Sequence, residues 1–140
     1  MEGRHARVAP GDVLIVITGA TVGRVAMIGP RHEPGFVSQH VALCRVSNDV
    51  LLPEYLMCAL LAPLGQNQLL ASRYGQGKPG LNLASLLDLR VPRPELDRQR
   101  GVVRDITLQR KRDQRLKLRR QETGVEAEAL LRVALSGAFQ

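Results

Sequence analysis

The sequence predicts an α+β protein: a small, turn-rich β domain with short helices, followed by a long C-terminal helix or helical hairpin. Proline and glycine carry this prediction, because both interrupt regular helices. Residues 1–95 hold all eight prolines and ten of the thirteen glycines, whereas residues 96–140 hold no proline and three glycines. The 140-residue chain therefore divides into a region of strands and turns and a region that is helical.

Short apolar runs predict the strands of the first region. Residues 12–17 form a β-branched run, and residues 24–28 resume the strand pattern. Residues 36–46 indicate a third strand, and residues 89–92 a last one that proline ends. The loop at 18–23 lacks the glycine spacing of a nucleotide-binding loop, so we interpret it as a turn whose glycines adopt positive φ.

Short helices follow the strands. Pro53 suits the first turn of a helix, and the almost wholly apolar residues 55–61 predict a short buried helix there. Residues 66–73 favour another helical piece. Either Asn82 or Ser85 is a candidate cap for a short turn after it.

The second region is predicted to be a long helix with Asp97 as its N-cap. Its apolar stripe begins at 102–106 and is then interrupted by polar residues, so the heptad pattern is weak. Gly124 indicates a break before a second amphipathic helix at 125–135. A helix of about 25 residues is too long to bury against a small β domain, so we expect an antiparallel partner, in this chain or another.

The positive charge lies almost entirely in one stretch. The chain carries a formal net charge of +7, and residues 98–120 hold ten basic residues against two acidic ones. Such a segment attracts phosphate through counterion release, or pairs with an acidic protein. A solvated helix face without a ligand is the third interpretation.

Several classes of protein are excluded by composition. No run approaches the roughly 18 apolar residues that a membrane span needs, and no signal sequence opens the chain, which indicates the cytoplasm. Cys44 and Cys58 are expected to be buried thiols, and with three scattered histidines they give no metal-ligand spacing. No catalytic triad or paired-carboxylate pattern stands out, so we predict no enzyme, no metal and no cofactor.

Two polar segments are candidates for contacts with nucleic acid. In residues 38–40, Gln39 can read adenine and His40 can reach a phosphate or a base edge, although a hydrogen-bonded structural pair at a strand end is the alternative. Arg73, Gln76 and Lys78 surround a glycine-rich loop. Cations beside flexible backbone suit phosphate contact, and a plain exposed loop is the alternative there.

Taken together, these pieces resemble the specificity (S) subunit of type I restriction–modification systems, over the later part of a target recognition domain and the long helix after it. Each piece alone is weak, but their order is fairly specific. The matching segments are 11–15 (GDVLI), 18–25 (TGATVGRV), 38–41 (SQHV), 53–56 (PEYL), 77–82 (GKPGLN), 86–94 (LLDLRVPRP), Gln99 and 134–139 (ALSGAF).

The resemblance implies a DNA-binding subunit without catalysis of its own. Residues 1–95 would be a partial target recognition domain that meets double-stranded DNA, and residues 96–140 a helical dimerisation and spacer region. The family's long helices pack antiparallel and dock the methyltransferase subunit, with the restriction subunit as a further partner. A complete subunit has two recognition domains, so we expect a fragment or a half-subunit that forms a homodimer through residues 97–136.

This hypothesis predicts a set of residues that contact DNA. They are Arg24, Gln39, His40, Arg73, Gln76, Lys78, Arg110, Lys111 and Arg112. The alternative hypothesis is a helical assembly module that docks a methyltransferase with little direct DNA contact, since an acidic partner surface would compensate the same cations.

Overall fold

The computed structural model describes residues 6–31, 34–75 and 79–137, and it confirms the α+β fold class. A three-stranded antiparallel sheet is formed by β1 (Val13–Val16), β2 (Val25–Met27) and β3 (Val41–Cys44), in the order β2-β1-β3. The central strand is the β-branched run that the sequence marks out. Val13 faces Met27 on one side and Cys44 on the other.

The chain then forms three short helices: α1 (Pro53–Leu61), which packs on β1 and β2, α2 (Pro63–Ala71), which packs on α1, and α3 (Leu83–Leu87). A proline opens each of the first two, where a missing N–H costs nothing. Asn82 caps α3, because its side chain accepts a hydrogen bond from the Ser85 N–H at 2.7 Å. Of the two candidate caps, Asn82 is therefore the cap.

The core lies between the sheet and the first two helices. Alternate residues of β1 are completely buried, as the two-residue period of a strand requires. The buried cluster consists of Val13, Ile15, Val22, Leu56, Leu60, Leu69 and Leu81. Gly65 lets α2 approach α1 closely, since a Cβ at this position would lie 2.6 Å from the Leu60 Cα.

The turn between β1 and β2 has the predicted backbone conformation. Gly19 and Gly23 have φ of 100° and 90°, a region that side chains disfavour. Two predicted elements differ from the structure by several residues: β3 covers only Val41–Cys44 of the predicted 36–46, and α2 spans Pro63–Ala71 instead of 66–73. Phe36 lies outside β3 and forms an isolated bridge with Arg7.

The predicted strand at 89–92 is wrong. The Arg90 N–H donates to the Gln68 Oε1 at 2.8 Å, and the Gln68 Nε2 donates to the Arg90 carbonyl at 3.0 Å. The Gln68 side chain thus bonds both the N–H and the carbonyl of Arg90, the groups that would otherwise pair with a neighbouring strand. Residues 89–92 are therefore a loop that is hydrogen-bonded to α2.

The last helix, α4 (Leu96–Gly137), is continuous for 42 residues. The predicted break at Gly124 is therefore wrong, because one glycine costs a helix only about 1 kcal/mol, and good helix formers lie within one turn of it, among them Gln121, Glu122 and Glu126. Asp97 lies in the first turn, not at the N-cap, and its carboxylate pairs with Arg100 at 2.8 Å. None of the described helices is long and apolar enough to cross a membrane.

The chain divides into two structural units, residues 1–103 and residues 104–140. The first two turns of α4 thus pack with the first unit. The functional division that the sequence predicts, at 95/96, stays a prediction.

Candidate nucleic-acid interface

Four segments of the first unit meet where β1 ends. The Ile17 N–H donates to the His40 carbonyl at 2.8 Å, and the Leu81 N–H donates to the Ile17 carbonyl at 2.8 Å. On the other side of the strand, the Val16 N–H donates to the Arg24 carbonyl at 2.9 Å. The backbone therefore brings the glycine turn, the start of β3 and the residues before α3 to one end of the sheet.

Four of the predicted DNA-contacting residues lie at this end, and all four are exposed: Arg24, Gln39, His40 and Arg73. We call this surface the cationic end and define it by these four residues. Gln76 and Lys78 are predicted contacts that lie outside the described residues. The cationic end unites side chains from a strand start, a turn and a helix end, which no local pattern in the sequence links.

The 38–40 segment contains the hydrogen-bonded pair that its structural interpretation predicts, and the predicted contact with nucleic acid stays a prediction. The His40 N–H donates to the Ser38 Oγ at 3.3 Å, so the hydroxyl stabilises a turn at the start of β3. The side chains of Gln39 and His40 have no hydrogen-bond partner among the described residues. Ser38 is thus structural, while the next two side chains are free to contact a ligand.

Two side chains, one in α2 and one just after it, donate hydrogen bonds to backbone carbonyls of the glycine turn at 18–23. The Gln66 Nε2 donates to the Gly23 carbonyl at 3.2 Å and to the Leu60 carbonyl at 2.8 Å. The Arg73 Nη2 donates to the Val22 carbonyl at 3.3 Å. Sequence reasoning missed Gln66, because only the tertiary fold shows that it reaches the turn.

The opposite end of the sheet carries carboxylates. Asp12 is buried and accepts hydrogen bonds from the Ala9 N–H and from two nitrogens of Arg45, each at 2.7 Å. This two-pronged pairing raises the pKa of Arg45, so the guanidinium stays charged. Asp49 and Glu54 line an open cleft of about 850 Å³ beside this pair. We call this surface the acidic end.

The first unit is therefore electrically polarised along its strands. The segments that form the cationic end, 17–24, 37–41, 72–75 and 79–82, contain no Asp or Glu. The acidic end holds three carboxylates, of which Asp12 is paired with Arg45, and Arg7 lies beside that pair. A polyanion is therefore attracted more strongly to the first surface than to the second.

Gln99, in the second turn of α4, anchors that helix to the first unit. Its side chain is fully buried. The Oε1 accepts from the Leu52 N–H at 2.9 Å, while the Nε2 donates to the carbonyls of Val50 at 3.0 Å and Pro94 at 2.8 Å. No local pattern in the sequence marks this residue, which is singled out only by the family resemblance.

In the second unit, α4 exposes a row of cations. Arg110, Lys111 and Arg112 are exposed, and no ion pair joins residues 110–120 to another described residue. The one acid within this row, Asp113, accepts a hydrogen bond from Gln109 at 3.4 Å. The row is therefore uncompensated within the described part of the helix.

Cysteines and metal ligands supply no reactive centre among the described residues. Cys44 and Cys58 form no disulfide, and Cys58 is buried as predicted, whereas Cys44, at the end of β3, is only partly buried. Burial raises the pKa of the Cys44 thiol, which favours the neutral, unreactive form. No group of three or more potential metal ligands occurs in the ranges that the structure describes.

These observations define a class: a small α+β module with one polarised sheet and a long exposed helix. Its fold is that of part of a crystallised S subunit of a type I restriction–modification system from M. genitalium, with a TM-score of 0.60 at 14% identity. The match covers 78% of this chain and 28% of that one.

A curated relative agrees with the structural match. The specificity subunit of the type I restriction enzyme EcoBI from Escherichia coli is 28% identical over 108 residues, which is 76% of this chain. The match covers 22% of that relative's length, so this chain spans about a fifth of it. No protein-family model matches the chain. The two similarities confirm the resemblance to type I specificity subunits that the sequence indicates.

Proposed function

We propose that the chain is a non-catalytic, DNA-binding specificity subunit or half-subunit of a type I restriction–modification system. In this role it directs a methyltransferase subunit, and a restriction subunit with it, to a DNA sequence in the cytoplasm. The similarity to specificity subunits supports this role. The observation that carries it is the cationic end of the sheet, where exposed Arg24 and Arg73 lie in segments without any carboxylate.

Binding to DNA is tested by its salt dependence. We expect the logarithm of the affinity for a double-stranded probe to fall linearly with the logarithm of the salt concentration between about 50 and 200 mM, because phosphate contacts release counterions. The double variant Arg24→Glu/Arg73→Glu should bind more weakly and lower the slope by about two or more. A flat salt response of the native chain would contradict phosphate-driven binding.

The matched control is Arg93→Glu. Arg93 is exposed like the two arginines of the cationic end, but it lies beside Asp49 and Asp97, away from that end. The control changes the net charge by −2 and the double variant by −4, so a nonspecific effect of net charge would appear in the control at about half its size in the double variant. A loss of affinity in the control of half the size or more would contradict a localised DNA surface.

The helical assembly module is the second candidate function. The cations of α4 at residues 110–120 support it as well as they support DNA contact, because an acidic protein surface would pair with them just as DNA phosphates would. Charge reversal at Arg110, Lys111 and Arg112 separates the two functions. Loss of DNA binding with intact capture of the methyltransferase supports direct DNA contact by the helix. Loss of capture with intact DNA binding supports docking through the helix.

A further inference from the structure

The tip of the turn at 18–23 presents backbone donors to solvent. Two consecutive β-turns form it: the Val22 N–H donates to the Gly19 carbonyl at 3.2 Å, and the Arg24 N–H donates to the Thr21 carbonyl at 3.1 Å. The φ of 90° at Gly23 is what the third position of a type II turn requires. Ala20 and Thr21 are exposed residues, and their N–H groups have no acceptor among the described residues.

Two guanidinium groups flank these donors. Arg24 directly follows the turn, and its side chain has no hydrogen-bond partner among the described residues. The Arg73 Nη2 donates a hydrogen bond to the Val22 carbonyl, and this bond places the guanidinium next to Thr21 at the tip of the turn. No Asp or Glu occurs between Asp12 and Glu33 or between Glu54 and Asp88, so the chain near the turn offers these cations no carboxylate.

The turn is held in place from three sides. The Gly19 N–H donates to the Pro79 carbonyl at 3.1 Å, the Gly23 N–H donates to the Val16 carbonyl at 2.9 Å, and the Gln66 side chain holds the Gly23 carbonyl. Binding an anion therefore requires little ordering of the backbone. Successive amides in a turn form a concave donor surface of the kind that binds oxyanions.

We infer that this turn is a phosphate clamp, in which the amides of Ala20 and Thr21 and the guanidinium groups of Arg24 and Arg73 hold one phosphodiester of duplex DNA. The inference rests on the proposed function and deepens it by assigning the chemical group held at the cationic end. A phosphodiester contact positions the protein without reading sequence. It differs from nucleotide binding, since the turn leads into a strand and offers no helix N-terminus.

The variant Ala20→Pro tests the amide contact. Ala20 is the second residue of its β-turn, where proline is favoured, so the change removes one donor and keeps the turn. We expect affinity for a random-sequence duplex to fall about tenfold, because a hydrogen bond to a charged oxygen is lost. The salt slope should stay unchanged, because no charge is removed. The control, Thr21→Val, deletes a hydroxyl but keeps both amides and should bind like the native chain.

The outcomes separate the clamp from the proposed function. If the native chain binds the duplex and folded Ala20→Pro binds equally well, the clamp alone is overturned. If the native chain does not bind the duplex, the proposed function fails and the clamp with it. Amide NMR of the native chain decides the matter even if the variant unfolds: a downfield shift of the Ala20 and Thr21 amide protons on adding duplex supports the clamp, and unmoved signals overturn it.

Discussion

Gln99 and Asp12 are the two buried polar side chains that stand out among the described residues, and each satisfies several groups at once. Gln99 bonds three backbone groups from two loops. Truncation in Gln99→Ala leaves these groups buried without partners, so we expect the free energy of unfolding to fall by about 2 to 4 kcal/mol. Urea unfolding followed by circular dichroism measures the change.

The control for this prediction is Gln109→Ala in the same helix. Gln109 is exposed, and its one hydrogen bond, to Asp113, is long. Its loss should change stability by no more than about 0.5 kcal/mol. Equal effects of the two substitutions would show that Gln99 does not anchor the helix.

Residue type indicated the charged residues of the candidate site, whereas the glutamines that hold the surrounding backbone in place carry no local pattern in the sequence. Arg24 and Arg73 are identifiable as exposed cations beside glycine-rich loops. Nothing in their local sequence distinguishes Gln66 and Gln99 from other glutamines, because the backbone carbonyls to which they donate are distant in the chain. A hydrogen bond to a distant backbone group depends on tertiary geometry, which one sequence does not contain.

At the scale of elements, glycine has two different roles, and the same substitution tests both. Gly65 lies where α1 and α2 touch, and an added Cβ would collide with the backbone of Leu60. Gly124 lies in an exposed part of α4, with nothing within 4 Å of an added Cβ. We expect Gly65→Ala to destabilise the first unit by about 2 to 4 kcal/mol.

Gly124→Ala should act in the opposite direction. Alanine is favoured over glycine in an exposed helix by about 1 kcal/mol. The helical circular dichroism signal should therefore increase, and α4 should unfold at a higher temperature. A loss of helical signal would show that Gly124 is needed for a bend. Neither glycine role is visible in the sequence, where both read as helix breakers.

The strands and helices whose ends are marked by proline or by apolar runs could be predicted; those that depend on a neighbour could not. The run of β1 and the prolines that open α1 and α2 act locally. Residues 89–92 have a strand-like sequence but no strand beside them, because Gln68 occupies the backbone of Arg90. Strand formation needs a ladder partner, and that requirement is not local.

For the whole molecule, the separation of charge along the strands gives the first unit a preferred orientation toward a polyanion. The cationic end attracts phosphate, and the carboxylates of the acidic end are repelled by it. Under the proposed function, the glycine turn and the start of β3 would lie nearest to DNA, and the cleft beside Asp12 and Arg45 would face away from it.

The proposed homodimer is the prediction that concerns the chain as a whole. Leu116 is about half exposed on α4, and a helix with unpartnered leucines is marginal in water. If residues 97–136 form the dimer, Leu116→Asp should convert a dimeric mass in light scattering to a monomeric one and reduce helicity. Leu118→Asp is the control, because two residues advance about 200° around the helix and place Leu118 on the other side. A native chain that is monomeric at high concentration, or equal effects of the two substitutions, would contradict a dimer built on the Leu116 face.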